Sequence, residues 1–297
     1  MPWLLATVLG HIFTASAIIF DKFFVSKIFR RPATFAVVIG AFSIFAVVLI
    51  PFGVGYPGFF RLLVNIASGA AFTLALVFLY SSLKHGEATR VAPFMGGLIP
   101  IFTFLFAYLA LSEKLAAHEL LAFVFLIVGG ALVALNRGGQ FEKTHIQGFF
   151  YGAVAAVLFA FSAVMAKYAY IREPFIEAFF WQRIGGALVV PFLLSDAGVR
   201  HESREFLHQL FGRTGAYLLL GKLTGATGFV LLQYAIKTGS VTLVQALAGL
   251  QYVFLFVLAT FATIFFPKIL KEHLNGMRIA QKILAIILVG LGLFLLA

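Results

Sequence analysis

The sequence contains no cysteine among its 297 residues. Disulfide bonds, thiolate metal sites and cysteine nucleophiles are therefore excluded. Charged residues are also scarce, at 11%, whereas an ordinary soluble domain carries about 25%. Because a water-soluble fold needs a polar surface, this scarcity excludes a soluble enzyme and a disordered chain.

Apolar residues fill most of the chain instead. Hydrophobic residues make up 62% of the sequence, with 37 phenylalanines, and the mean hydropathy is +1.04. The net charge is +11, but the basic residues stand in short gaps between apolar runs, as in the cytoplasmic loops of membrane proteins. We therefore expect a lipid bilayer as a partner and no binding of nucleic acid.

Ten apolar runs are long enough to cross a bilayer, which takes about 20 residues each. They are residues 3–20, 33–52, 62–83, 91–111, 117–135, 148–170, 175–194, 215–236, 241–265 and 277–297. None shows the strict alternation of a membrane-barrel strand. The connection 195–214 is longer and amphipathic, which leaves open a short helix on the membrane surface or a solvated loop. The predicted fold class is an all-α integral membrane protein with ten transmembrane helices.

The two halves of the chain resemble each other. Ser16-Ala17 has a counterpart in Ser162-Ala163, and the run 83–86 (LKHG) has one in 236–239 (IKTG). A repeat of five helices is odd in number, so the second copy would enter the membrane inverted, which is a recurring architecture of secondary transporters. We predict two inverted five-helix repeats, residues 1–140 and 141–297. Chance similarity between apolar segments is the alternative.

One stretch of the first half carries a specific resemblance. Residues 80–88 (YSSLKHGEA) lead into Pro93 and Pro100, and Glu113 follows at the membrane border within 111–115 (LSEKL). This closely resembles the EamA family of the drug/metabolite transporter superfamily, and Arg183 resembles an arginine that the family often carries near the start of its seventh helix. The resemblance implies a ten-helix carrier. The second half departs from the pattern, because it lacks the equivalent proline and border glutamate.

Charge also predicts the orientation. The odd-numbered loops and the last helix border hold 14 basic residues and the even-numbered loops hold 4. The positive-inside rule places the odd loops in the cytoplasm of a cell membrane, either the plasma or the inner membrane, and both termini outside. Members of the family are usually described with cytoplasmic termini, so the count departs from the resemblance here.

The candidate binding residues are the polar groups at depth. Every carboxylate lies in a loop or near a helix end, whereas Arg183 and Lys222 lie deep, and two deep cations without an acid favour an anionic group on the solute. The predicted substrate-binding residues are His11, Asn65, Trp181, Gln182, Arg183, Lys222, Gln251 and Tyr252. Structural roles, such as hydrogen bonds between helices or snorkelling, remain the alternative for each of them. Lys167, close to a helix end, is expected to be a snorkelling anchor.

Two prolines and two glycines fall within the fourth apolar run. Pro93, Gly96, Gly97 and Pro100 are expected to interrupt this helix, as a gate hinge or as a static kink. No catalytic or metal-binding motif is visible in the sequence.

The function that these observations favour is secondary transport. The chain would move a small polar metabolite, for example an amino acid or another solute with a carboxylate or phosphate, by alternating access. We expect no enzyme activity, no cofactor and no metal, and a chain that works as a monomer. The alternatives are an intramembrane enzyme acting on a lipid-linked substrate and a channel.

Overall fold

The computed structural model describes residues 2–25, 31–85, 88–134, 146–209, 213–251, 253–254 and 276–296. All of the regular structure in these ranges is helical. The helices are α1 (Pro2–Val25), α2 (Pro32–Phe42), a 3-10 helix (Ser43–Phe52), α3 (Phe59–His85), α4 (Ala88–Leu111), α5 (Ala117–Ala134), α6 (Ile146–Tyr170), α7 (Phe175–Leu188), α8 (Val190–Leu193), α9 (Ala197–Gln209), α10 (Arg213–Thr238), α11 (Val241–Ala246) and α12 (Gly276–Leu296).

The protein is an all-α membrane protein. Within the described ranges, six helical segments are long and apolar enough to cross a bilayer, and four shorter apolar helices lie where the other runs were predicted. Large apolar side chains such as Phe45, Leu109 and Phe294 lie exposed on the outer surface. Lipid is the solvent that makes such exposure favourable, and helices satisfy their own backbone groups within it. The number of spans stays a prediction, because much of the run 241–265 lies outside the described residues.

Two helices differ in detail from the sequence expectation. The second run changes from an α-helix to a 3-10 helix at Ser43, and α7 ends at Leu188, just before the short α8 that contains Pro191. The prolines and glycines of the fourth run do not end its helix, because α4 is continuous from Ala88 to Leu111, and a kink or hinge at these residues stays a prediction. A proline removes one backbone hydrogen bond, and a helix packed among others tolerates that loss.

The amphipathic connection forms helix α9. Its buried residues Val199, Ser203 and Phe206 recur at helical spacing, and α9 packs against α2. Of the two alternatives, the helix is confirmed, and its apolar face is covered by protein. The sequence places Phe206, Leu207, Leu210 and Phe211 on one helical face, and of these Leu210 and Phe211 lie outside the described residues.

The helices pair across the two halves of the chain. The pairs in closest contact are α3 with α6, α1 with α10, and α5 with α12. The α1–α10 pair is close because Gly10 and Gly228 face each other, and a Cβ at Gly228 would lie 2.8 Å from the carbonyl oxygen of Gly10. Such glycine contacts are typical of helices packed in membranes.

The helix directions define two ends of the bundle. End A is the end at which α1, α3, α5 and α7 begin and α4, α6 and α10 finish. End B is the opposite end, where α4, α6 and α10 begin. The contacts agree with these directions, since Trp3 at the start of α1 packs against Gly239 after the end of α10.

Candidate functional site

A cavity of about 340 Å³ lies inside the bundle. Residues from six helices line it, namely α1, α3, α4, α6, α10 and α11. The polar side chains on its wall are His11, Ser162, Gln233, Gln245 and Gln251. The apolar residues include Phe72, Leu79, Met95, Ile99, Phe159 and Phe229. The cavity therefore joins helices from both halves of the chain around one mixed surface.

His11 is the residue that α1 contributes to the described lining of the cavity. The residue is 4% exposed, with the side chain of Gln251 and the backbone of Val244 as polar neighbours. Neither ring nitrogen makes a hydrogen bond of good geometry. Thr14, one turn along α1, places its hydroxyl 3.2 Å from Oε1 of Gln251. His11 and Gln251, two of the predicted binding residues, thus meet at this wall.

A chain of hydrogen bonds leads from the cavity to end A. Asn65 donates to Glu173 at 2.9 Å, and Gln182 donates to Oδ1 of Asn65 at 3.2 Å. The Tyr170 hydroxyl lies 2.9 Å from Oε1 of Gln182 and 3.1 Å from Oε1 of Gln233. Asn65 and Gln182, which were predicted to bind solute, are here bonded to other side chains and do not line the cavity.

The hydroxyl of Tyr170 has only one proton for these two oxygens. Because the amide nitrogen of Gln182 already donates to Asn65, its oxygen is fixed towards Tyr170 and takes that proton. The amide of Gln233 must then turn its NH₂ towards the hydroxyl oxygen, an exchange of O and N that coordinates alone do not distinguish. Its carbonyl oxygen is then directed away from Tyr170.

Arg183 lies among aromatic rings next to the cavity. Its guanidinium carbon is 4.5 Å from the ring centre of Phe229, 5.3 Å from that of Phe72 and 5.4 Å from that of Phe179. Its Nε makes no hydrogen bond. Phe72 and Phe229 line the cavity, whereas Arg183 does not. The cation is held by the faces of the rings, an arrangement that stabilises a charge away from water.

The other predicted binding residues lie elsewhere. Lys222 places Nζ 4.4 Å from the ring centre of Phe35, and Trp181 donates from Nε1 to the carbonyl oxygen of Gly55 at 2.9 Å. Neither lines the cavity. Tyr252 lies outside the described residues. A direct role for any of these residues in binding stays a prediction.

Three parts of this region were not predicted from the sequence. Tyr170, Gln233 and the aromatic residues around Arg183 were not singled out. Gln233 was detectable as a lone amide within an apolar run, whereas the phenylalanines were not, because 37 of them are spread along the chain.

Lys167 is not the snorkelling anchor that was expected. Its Nζ donates to the carbonyl oxygens of Lys237 at 2.9 Å and Gly239 at 2.7 Å. These carbonyls lie at the end of α10 and just after it, where the helix leaves backbone acceptors without partners. A cation there also complements the negative end of the helix dipole.

Two carboxylates outside the membrane-spanning helices have shifted pKa values. Burial raises the pKa of Glu173 above its ordinary value, and the bond from Asn65 opposes this shift. The backbone N–H of Val199 lowers the pKa of Asp196, with help from Gly198 and Arg31. Glu173 is thus biased towards its neutral form, and Asp196 towards its charged form as the cap of α9.

Comparisons with known proteins inform the fold alone. No protein-family model matches the sequence, and no curated protein matches it significantly. The fold matches 27 chains of solved structures. One of these, described only as "Crystal structure of protein", has a TM-score of 0.65 and 17% sequence identity over 96% of this chain and 94% of that chain.

Proposed function

We propose that the protein is a secondary transporter that carries a small polar metabolite through the cavity by alternating access. The observation that carries this proposal is the cavity itself, lined by residues of six helices within a membrane bundle. A ligand site between two halves of a bundle is the arrangement that transporters use.

The pairing of the helices supports two inverted repeats, residues 1–140 and 141–297. In two such repeats, α1 of the first half corresponds to α6 of the second, and α3 corresponds to α10. In the same way, α4 corresponds to α11 and α5 to α12. Exchanging the halves then turns the α1–α10 pair into the α6–α3 pair. The same exchange maps the α5–α12 pair onto itself, and it maps the six cavity-lining helices onto themselves. This pattern of contacts supports the repeat over a chance similarity between apolar segments. The five-helix copies and the resemblance to the drug/metabolite transporters remain part of this proposal.

We place end B in the cytoplasm of a cell membrane. The described helices that border the odd-numbered loops have those termini at this end, and the sequence puts most of the basic residues outside the helices in these loops. Both termini would then lie outside. The glycines and prolines of α4, at Pro93, Gly96, Gly97 and Pro100, are the proposed hinge when the cavity changes the side to which it opens.

A blocked cavity tests the proposal. Ala248 lines the cavity, whereas Ala110 lies exposed on the outer face of α4. In vesicles that contain the purified protein, a screen of labelled metabolites should find saturable uptake. The Ala248→Trp variant should lower it to the level of protein-free vesicles, because the indole fills the cavity, and the matched Ala110→Trp variant should transport normally.

Three results would contradict the proposal. Saturable uptake that is unchanged by Ala248→Trp would show that the cavity is not the path. Flux that does not saturate would indicate a channel. Turnover of a lipid-linked substrate without movement of solute would indicate an intramembrane enzyme.

A further inference from the structure

We propose that the cavity selects solutes with an uncharged hydrogen-bonding head and a hydrocarbon body, and that His11 binds the head. This inference rests on the proposed function, because it names the solute of the same cavity. It differs from the anionic solute that Arg183 and Lys222 suggested in the sequence.

The walls of the cavity differ in polarity. The residues that α3 and α4 contribute are all apolar, and they include Phe72, Leu79 and Ile99. The polar groups of α1, of α11 and of the segment just after α11 are His11, Gln245 and Gln251. A solute that satisfies both kinds of wall must itself have an apolar part and a polar part. The volume of about 340 Å³ is near the lower end for ligand pockets and suits a molecule with one ring and a short chain.

The described lining contains no Asp, Glu, Lys or Arg side chain. A charge placed in an apolar cavity without a partner costs several kcal/mol, as an order of magnitude. Arg183 does not supply the partner, because its guanidinium lies against Phe72 and Phe229, the rings that face the cavity. The lining therefore favours a neutral head over an anion.

His11 is the polar group of the described lining that has no hydrogen bond of good geometry, although the side chain of Gln251 and the backbone of Val244 lie near it. It is 4% exposed, lines the cavity, and has no hydrogen bond at either ring nitrogen. A buried polar group without a bond is costly, so a ligand that supplies the bond gains affinity. A neutral imidazole offers one donor and one acceptor, and the amides of Gln245 and Gln251 offer both as well. A carboxamide or a hydroxyl, which also donates and accepts, is the matching head.

Four probes measure separately how much the polar head and the hydrocarbon body of the solute contribute to binding. They are 3-phenylpropanamide, with both parts; propanamide, with the head alone; propylbenzene, with the body alone; and 3-phenylpropanoate, with an anionic head. Binding to the purified wild-type protein is measured by competition against labelled 3-phenylpropanamide. We expect 3-phenylpropanamide to bind saturably and the other three to bind more weakly by about tenfold or more, since each loses a matched contact or gains an unmatched charge.

The outcomes that overturn the inference are specific. If 3-phenylpropanoate bound as tightly as 3-phenylpropanamide, the solute would be the anion that the sequence suggested. Propylbenzene binding as tight as amide binding would show that the head is not recognised. Absence of saturable binding of 3-phenylpropanamide would remove the proposed solute class altogether. None of these measurements depends on a variant that folds.

Variants of His11 test whether this residue binds the polar head of the solute. His11→Ala should weaken 3-phenylpropanamide binding about tenfold and leave propylbenzene binding unchanged. His11→Gln should restore binding of the amide, because a side-chain amide keeps a donor and an acceptor. The control is His118→Ala, since His118 is exposed at the start of α5. Equal losses for the amide and for propylbenzene in His11→Ala would mean that His11 shapes the cavity without binding the head.

Transport separates this inference from the proposed function. If 3-phenylpropanamide binds through His11 but nothing is transported in vesicles, the solute inference stands and the transporter proposal fails. If other solutes are transported in a manner that Ala248→Trp abolishes, while the amide does not bind, the transporter proposal stands and the solute inference fails.

Discussion

At end A of the bundle, polar contacts join helices that line the cavity. At end B, the contact between α2 and α9 lies away from the cavity. At end A, the Glu113 carboxylate accepts from the Ser240 hydroxyl at 2.6 Å and from the Thr242 N–H at 3.3 Å. These bonds tie the turn after α4 to the turn before α11, and both helices line the cavity. They also join the two halves of the chain.

The contacts of end B include bonds between α2 and α9, and the Ser82 hydroxyl donates to the carbonyl oxygen of Gly148 between α3 and α6. Arg31 pairs with Asp196 at 3.1 Å, and Thr34 donates to Glu202 at 2.8 Å. Neither α2 nor α9 contributes to the described lining of the cavity. Helices α3 and α6 do line the cavity, so the described residues carry a polar contact between cavity-lining helices at both ends, and the α2–α9 contact of end B lies apart from it.

The largest effect is expected at the Lys167 contact of end A. Lys167→Met keeps the apolar stem but removes both bonds to the carbonyls of Lys237 and Gly239. Bonds from a charged donor are worth about 2 kcal/mol in stability, so the Tm of the purified protein should fall by about 5 °C. Lys84→Met is the control, because Lys84 is exposed at end B. An unchanged Tm in Lys167→Met would remove the distinction between the ends.

A smaller effect that depends on pH is expected at Glu173. Burial raises the pKa of this carboxyl in the folded protein, so the folded state binds the proton more tightly than the unfolded state. The stabilisation that this gives is complete below the ordinary glutamate pKa and is lost as the pH rises through the raised pKa of the folded protein. Glu173→Gln should flatten this part of the curve of Tm against pH and raise the Tm at neutral pH.

The control for this prediction is Glu205→Gln at the exposed face of α9. It should retain the slope of the wild-type protein between about pH 4 and pH 7, the range just above the ordinary glutamate pKa. A slope that stays the same in Glu173→Gln would show that the buried carboxyl does not couple the stability of end A to pH.

The smallest effect is expected at end B. The side chains of Arg31 and Asp196 are 49% and 55% exposed, and exposed ion pairs contribute little and are screened by salt. Arg31→Ala should change the Tm by about 1 °C or less, and the difference should shrink further at high salt. A fall as large as that of Lys167→Met would show that the two ends are fastened equally.

The hydropathy of the sequence was enough to place the helices. Apolar runs predicted each described span to within a few residues, because a backbone in lipid has to bond to itself and a helix is the local way to do so. The change to a 3-10 helix after Phe42 was not predicted, because it depends on neighbours that support the backbone. His11 and Gln251 were identified because a polar residue in an apolar run must find a partner or a cavity.

The sequence by itself determined that this protein lives in lipid, that it is helical and where its polar groups interrupt the apolar runs, because these properties depend on residues close together along the chain. Only the tertiary structure decided which groups meet. Arg183 lies against rings from α3, α7 and α10, and Lys167 binds carbonyls about 70 residues away in sequence. Such contacts depend on how distant helices pack, and no local pattern of residues encodes that packing.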